Sequence, residues 1–231
     1  MKSVLVTGGA GGIGEAICLK FAEKGYFVGV GYNNSEAEAK KIAEKIGGAA
    51  IKIDVTDAES VNSAVESFAK QSGTNGAINV LVNCAGIALP IKTLLDVTEA
   101  EYDKIFAVNM KGVFLSVKAV LPHMLEKGGA IINVSSMWGL AGGSCEAVYS
   151  ASKSAVIGFT KALAKEFAGA NIRKRRRSGF YRHEDEQRFF GRGQRTYRRR
   201  YPARQIRFAR RRGESGFISR GRRRFRYGHN S

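Results

Sequence analysis

A short apolar strand, Lys2–Thr7, runs straight into Gly8-Gly-Ala-Gly-Gly-Ile-Gly14, and a helical run follows from residue 15 to 24. Few architectures open on a strand, a glycine turn and a helix in that order. Glycine turns where other residues cannot and lets the backbone approach a ligand with no side chain between them. The exposed amides and dipole at a helix start meet negative charge. The turn therefore reads as a cradle for a pyrophosphate, and its position directly after a strand is the context that gives such a motif meaning.

Farther on, strand-like runs at 27–31, 49–53, 78–82 and 130–134 alternate with helical runs at 35–46, 57–71, 99–125 and 148–167. Strict alternation specifies a parallel sheet wrapped by helices, because each crossover lays a helix over the sheet. The 173 residues that carry this pattern suffice for a sizeable core, so one α/β domain, 1–173, is expected.

Beyond residue 173 the composition changes character. Residues 1–173 carry 17 Lys+Arg against 16 Asp+Glu, while 174–231 carry 21 against four; the tail's net of +17 accounts for nearly all of the chain's +18. The last 58 residues contain no Leu, Val or Met. Their scattered Phe, Tyr, Ile and Ala show no period and cannot build a core, so a disordered basic tail is expected. Two readings compete for it. Segments 175–182 and 222–227 interleave arginine with aromatics, the chemistry of phosphate pairing and base stacking. That makes a nucleic-acid-binding protein the alternative class. The other reading is a shifted frame. Arginine codons of the CGN type, read one base later, encode Val, Ala, Gly, Asp or Glu, which include residues the tail lacks or holds sparsely.

Near the end of the body, Tyr149-Ser-Ala-Ser-Lys153 sets a phenol and an ammonium four residues apart on one helix face. A free tyrosine titrates at about 10, so a tyrosine that moves protons near neutrality needs a neighbouring cation, and Lys153 is placed to supply it. Ser136, thirteen residues upstream and just past the run Ala130-Ile-Ile-Asn-Val-Ser135, offers a hydroxyl to the oxygen whose charge changes. Alone, the pair fits an ordinary helix surface equally well.

Together, Thr7-Gly8-x-x-x-Gly12-Ile13-Gly14, Asn83-Cys84-Ala85-Gly86, Asn109, Ser136 and Tyr149-x-x-x-Lys153 stand in an order and spacing that resemble the short-chain dehydrogenase/reductase family. The resemblance covers roughly residues 1–173. It implies a Rossmann-type doubly wound parallel sheet, a nicotinamide cofactor and hydride transfer between that cofactor and a carbonyl or alcohol. By resemblance Tyr149 gives its proton to a carbonyl oxygen held by Ser136, Lys153 also holds the nicotinamide ribose, and Asn109 anchors a water in the proton relay. Asn109 reads otherwise as a polar break inside the 99–125 helix. The cofactor is expected against Thr7, Gly8, Gly12, Ile13, Gly14, Asn33, Asp54, Val55, Asn83, Ala85 and Gly86, with Tyr149 and Lys153. Asp54 reads otherwise as a cap for the helix starting at 57, and Asn83 as a residue satisfying a turn.

Family members complete the sheet with two further strands and assemble as homotetramers. With 174–231 in that place, the sheet is expected to be incomplete at its C-terminal edge, leaving the 130–134 strand open on one side and the chain poorly stable and weakly active. A one-base shift over 174–185 and 201–211 permits stretches that resemble the family's continuation, so the tail is read as frameshifted. A nucleic acid recognised by sequence is not expected as a partner.

The second strand ends Gly29-Val-Gly-Tyr32-Asn33-Asn34-Ser35, with no acid before Glu36. A carboxylate there would bind a ribose hydroxyl and repel a phosphate, so its absence points to NADPH rather than NADH. No basic residue lies within 9–12, which argues the other way. For the substrate, a small-molecule or carrier-linked carbonyl is expected, and the body most resembles the 3-oxoacyl-acyl-carrier-protein reductases. Ser135-Ser-Met-Trp-Gly-Leu-Ala-Gly-Gly-Ser-Cys-Glu146 is also similar to a subgroup that reduces a 5-aminopentanone adduct on elongation factor P. In that reading Trp138 and Glu146 lie beside the tyrosine, where an acid meets a cationic amine.

Cys18, Cys84 and Cys145 show no paired spacing, so free thiols in a reducing cytoplasm are expected. His123, His183 and His229 form no ligand spacing, and no metal is expected. No apolar run reaches the roughly 18 residues of a membrane span, so no membrane partner is expected.

Overall fold

The structure is a computed structural model that describes residues 1–71, 76–125 and 128–167. The expectations for the basic tail, the domain boundary before residue 174 and the shifted frame lie outside the described residues.

β1 (Lys2–Thr7) forms the centre of the sheet, paired in parallel with β2 (Tyr26–Tyr32) on one side and β4 (Val80–Asn83) on the other. β3 (Ala49–Lys52) and β5 (Ala130–Asn133) complete the order β3-β2-β1-β4-β5. The chain winds outward from β1 to β3, returns to the middle and winds outward again through β4 to β5. That reversal opens a crevice beyond the C-terminal ends of β1 and β4, where sheets of this kind take ligands.

Successive side chains of a strand point to opposite faces, and β1 shows why the sheet needs helices on both. Leu5 packs with Ile51, Val61, Phe68, Val117 and Val156 on the face covered by α3 (Ala58–Ala69), α5 (Gly112–Leu125) and α7 (Ala147–Glu166). Val4 and Val6 pack with Cys18, Phe21, Val30 and Ile42 on the face covered by α1 (Gly12–Ala22) and α2 (Glu36–Ile46).

Four details differ from the sequence reading. α1 begins at Gly12, three residues early, because Gly11 takes an extended N-cap conformation and the last glycines of the turn are already helical. β4 begins at Val80 rather than 78. The 99–125 run is not one regular helix: α4 (Glu99–Phe106) passes through a π turn, Ala107–Lys111, into α5. Two short pieces, a 3-10 turn at Leu94–Asp96 and α6 (Trp138–Ala141), have too few residues to show a period. The stretch Glu99–Leu125 is long and apolar enough to cross a bilayer by length and composition. Its Val113, Val117, Val120 and Met124 are nonetheless packed into the sheet core.

Among the described residues β5 is an edge strand, paired only with β4. All four residues of β4 are buried, whereas those of β5 range from half-buried to exposed.

α4 starts on a reciprocal cap. Glu101 N–H donates to Thr98 Oγ1 at 3.3 Å, and Thr98 N–H donates to Glu101 Oε2 at 2.9 Å. Lys92 Nζ lies 2.5 Å from Glu101 Oε1, and this ammonium, with the Thr98 amide, holds the carboxyl down at about 2. A folded pKa below the ordinary carboxyl value stabilises the fold above that value and ceases to as pH falls through about 2. Glu101→Gln is therefore expected to lower the Tm at neutral pH and to match the parent near pH 2; thermal melts showing the same gap at both ends would contradict the assignment.

Candidate active site

The crevice is built where the tip of β1 meets the loop after β4. Thr7 is buried, and its Oγ1 accepts from the N–H groups of Cys84 and Ala85, each at 3.2 Å. Gly8 follows with φ of 65°, and a Cβ on it would stand 2.8 Å from the Ala85 Cα. Gly14 in the first turn of α1 lies so close to the β1 tip that a Cβ there would stand 2.0 Å from the Gly8 carbonyl oxygen. Gly12 and Ile13 open the helix and face outward, Ile13 being 48% exposed although apolar. Bare backbone under the start of an eleven-residue helix fits the pyrophosphate of a dinucleotide. Thr7, Gly8, Gly14 and Ala85 thus stand together at the tip of β1, with Gly12 and Ile13 in the first turn of α1.

On the other side of the crevice lie Gly86, Asn109 and Lys153. A Cβ on Gly86 would stand 3.1 Å from Lys153 Nζ and 3.3 Å from Asn109 Oδ1, so both polar groups converge over this glycine. Asn109 is fully buried in the π turn. Its Oδ1 accepts from Ile87 N–H at 2.8 Å, and its Nδ2 donates to the Ile87 carbonyl at 2.9 Å and to Ser152 Oγ at 3.1 Å. Both amide hydrogens are used in clamping the loop after β4 onto α7. Asn109 is more than a polar interruption of a helix.

Tyr149 and Lys153 share a face of α7, with Lys153 Nζ 5.8 Å from the centre of the phenol ring. The phenol lies near enough to the Ser136 hydroxyl for that group to lower its pKa, and Ser136 Oγ accepts from Trp138 N–H at 3.2 Å. Lys153 is 5% exposed and donates to the Val134 carbonyl at 3.2 Å. The sequence argument expects the ammonium to favour the phenolate. The structure shows the opposite balance: burial raises the Tyr149 pKa, the Ser136 hydroxyl only partly offsets this, and Glu146 adds to the rise. Burial lowers Lys153 for the same reason, since a charge is disfavoured away from water.

The loop that carries Ser136 is stitched to α7. Ser135 Oγ donates to the Lys153 carbonyl at 2.8 Å, and Ser154 Oγ donates to the Gly139 carbonyl at 2.6 Å. Ser135 therefore serves α7, leaving Ser136 to face the phenol. Glu146 is the N-cap position of α7 but makes no side-chain cap; its Oε2 is buried without a hydrogen-bond partner. A Cβ on Gly143 would stand 3.2 Å from that oxygen and 3.0 Å from the Trp138 ring, so acid and indole flank one small residue.

The remaining expected residues divide. Asn33 ends up at the β2 tip, held by Lys52 Nζ, which donates to its main-chain carbonyl and, at 3.1 Å, to its Oδ1. Asp54 Oδ1 accepts from Thr56 N–H at 2.9 Å and from Thr56 Oγ1 at 2.7 Å, which lower its pKa. The cap of α3 is Asp57 instead, accepting from Ser60 N–H at 3.0 Å. Val55 is buried against Gly112, so its side chain belongs to the core. Asn83 Nδ2 donates across the sheet to Asn133 Oδ1 at 2.8 Å. Sequence reasoning missed Lys52, Ser152 and the Val134 carbonyl; only the serine, inside the Tyr149-Ser-Ala-Ser-Lys153 string, carried a visible signal.

The family model for short chain dehydrogenases matches residues 2–175. The chain belongs to this family. It is similar to the 3-oxoacyl-[acyl-carrier-protein] reductase FabG of Staphylococcus aureus strain Mu50, 40% identical over 177 residues, which cover 74% of this chain and 70% of the relative. The FabG of Thermotoga maritima is 39% identical over 178 residues, covering 74% of this chain and 70% of the relative. A cyclopentanol dehydrogenase of a Comamonas species is 41% identical over 177 residues, covering 74% and 69%. Among solved structures, that of gox2181 superposes with a TM-score of 0.68 at 35% identity, over 72% of this chain and 66% of that one. The short-chain dehydrogenase family is one of enzymes, and a carrier-linked reductase and a cyclic-alcohol dehydrogenase resemble this member equally.

Gly8→Ala tests the cradle. The strained φ and the collision with Ala85 are expected to weaken dinucleotide binding at least about tenfold; calorimetric titration giving an unchanged Kd would remove the glycine turn from the site.

Proposed function

We propose that the chain is an NADPH-dependent oxidoreductase that reduces a carbonyl to an alcohol, in the cytoplasm, on a carrier-linked 3-oxoacyl substrate. One observation carries the reading: the Lys153 ammonium and Asn109 Oδ1 converge over Gly86, and 5.8 Å from that ammonium stands the ring of a half-buried phenol, Tyr149. Such a group keeps its proton at neutral pH and is ready to donate it. Bound NADPH supplies the hydride. As negative charge develops on the substrate oxygen, the Ser136 hydroxyl and the Tyr149 phenol stabilise it, and the phenol's proton passes to it. Lys153, set between the Val134 carbonyl and Gly86, would hold the nicotinamide ribose. Asn109 keeps one Oδ1 lone pair for a relayed water, since Ile87 N–H takes the other and both amide hydrogens are engaged.

In this reading residues 1–173 form the domain that carries the site, and 174–231 are an out-of-frame continuation. In a frame-restored chain, Tyr149→Phe is expected to lower NADPH oxidation by about 10²-fold or more while leaving the NADPH Kd unchanged; near-parental turnover in steady-state assays removes Tyr149 from the chemistry.

A second reading has its own support. The unpartnered Glu146 oxygen, beside Trp138 and felt electrostatically by Tyr149, suits a substrate that brings an ammonium close to its carbonyl. The 5-aminopentanone adduct on elongation factor P is such a substrate. Glu146→Gln is expected to erase any preference for an amino ketone over the same ketone without nitrogen; equal kcat/KM for the two ketones in the parent eliminates this reading and leaves the acyl-carrier one standing.

A further inference from the structure

The tip of β2 holds a cation that proton transfer does not use. Lys52, the last residue of β3, is in register with Tyr32, the last residue of β2. Its exposed side chain reaches over the strand end, donates to both oxygens of Asn33, and sets Nζ 5.7 Å from the centre of the Tyr32 ring. Three contacts thus fix an ammonium at the C-terminal rim of the sheet. Two acids nearby, Glu36 and Asp54, feel its charge, which adds to the lowering of both carboxyl pKa values. Glu36 is paired with Lys40 at 2.7 Å, and Asp54 turns Oδ1 to Thr56. Lys52 forms no ion pair among the described residues. Ser35, at the N-cap of α2 two residues after Asn33, makes no side-chain cap, so its hydroxyl adds a polar group that does not cap the helix.

In a sheet with this winding the tip of the second strand meets the adenosine ribose, and its charge decides which ribose is accepted. We propose that Lys52 is the residue that selects the phosphorylated cofactor, its ammonium meeting the ribose 2′-phosphate of NADP(H) from the end of the neighbouring strand. The inference rests on the NADPH reading above and adds to it the residue responsible. The usual sign of that preference, a basic residue within the glycine turn or directly after β2, is missing from this sequence. The cation arrives instead from nineteen residues past Asn33, through β-sheet register. Asn33 acts as the positioning residue, because its carbonyl and amide oxygen set where the ammonium stands.

The test is calorimetric titration of the full 231-residue chain with NADP⁺ and with NAD⁺, for the parent, Lys52→Met and Lys52→Arg. Losing one charge-assisted contact to a phosphate is expected to weaken NADP⁺ about tenfold or more in Lys52→Met, with NAD⁺ unchanged and with Lys52→Arg close to the parent. Equal weakening of both cofactors in Lys52→Met would show a strand tether rather than a phosphate contact and overturn the proposal. A parent that prefers NADP⁺ and a Lys52→Met variant that keeps the whole preference would overturn it too, while leaving the NADPH reading in place. A parent that binds NAD⁺ as tightly as NADP⁺, or binds neither, would bring down the NADPH reading and this assignment with it.

Discussion

The contact on which the rest of the site depends is the seam between the end of β1 and the loop after β4. A buried threonine hydroxyl accepts two amides of that loop, and a glycine with left-handed backbone lies against its main chain. The partners are separated by 77 and 78 positions in sequence. Closing the seam sets the phosphate cradle on one side and carries Gly86 to Lys153 and Asn109 on the other. In the proposed function, the half that would hold the dinucleotide and the half that would move the proton share one wall. A fault at Thr7 or Gly8 reaches both.

The elements were legible wherever a period had room to repeat. Five strands and the long helices show in the alternation of apolar runs, since each has one or two faces to bury. What escaped was set by single residues or by register. The start of α1 was hidden because glycine is a poor helix former, so Gly12 and Gly14 read as turn until the N-terminus is seen resting on β1. The site motifs were legible as residue types, but their surroundings were not. No spacing rule announces that Lys52 grips Asn33, or that Asn83 bonds across to β5, because such contacts follow from how strands line up.

The tyrosine and lysine show how a correct motif invites an incomplete account. Spacing alone suggests a cation tuning a phenol toward ionisation. Burial acts on both groups at once, however, and opposes charge in each. The ammonium is drawn to the Val134 carbonyl, and Glu146 adds a negative field near the phenol. The pair as folded holds a protonated phenol beside a partly desolvated amine. This part of the chemistry resides in the packing around α7, which no reading of four-residue spacing supplies.

The π turn Ala107–Lys111 holds one residue more than a regular helical turn would. Besides turning Asn109 toward Ile87, that surplus phases the two helices it joins. Each α-helical residue advances about 100° around the axis, so an extra residue kept in regular helix would turn everything after it by that angle, and the wider turn absorbs it instead. Val113, Val117 and Val120 thereby stay on the stripe that lies on the sheet. A helical irregularity adopted at the site thus doubles as the gear that keeps the core in mesh.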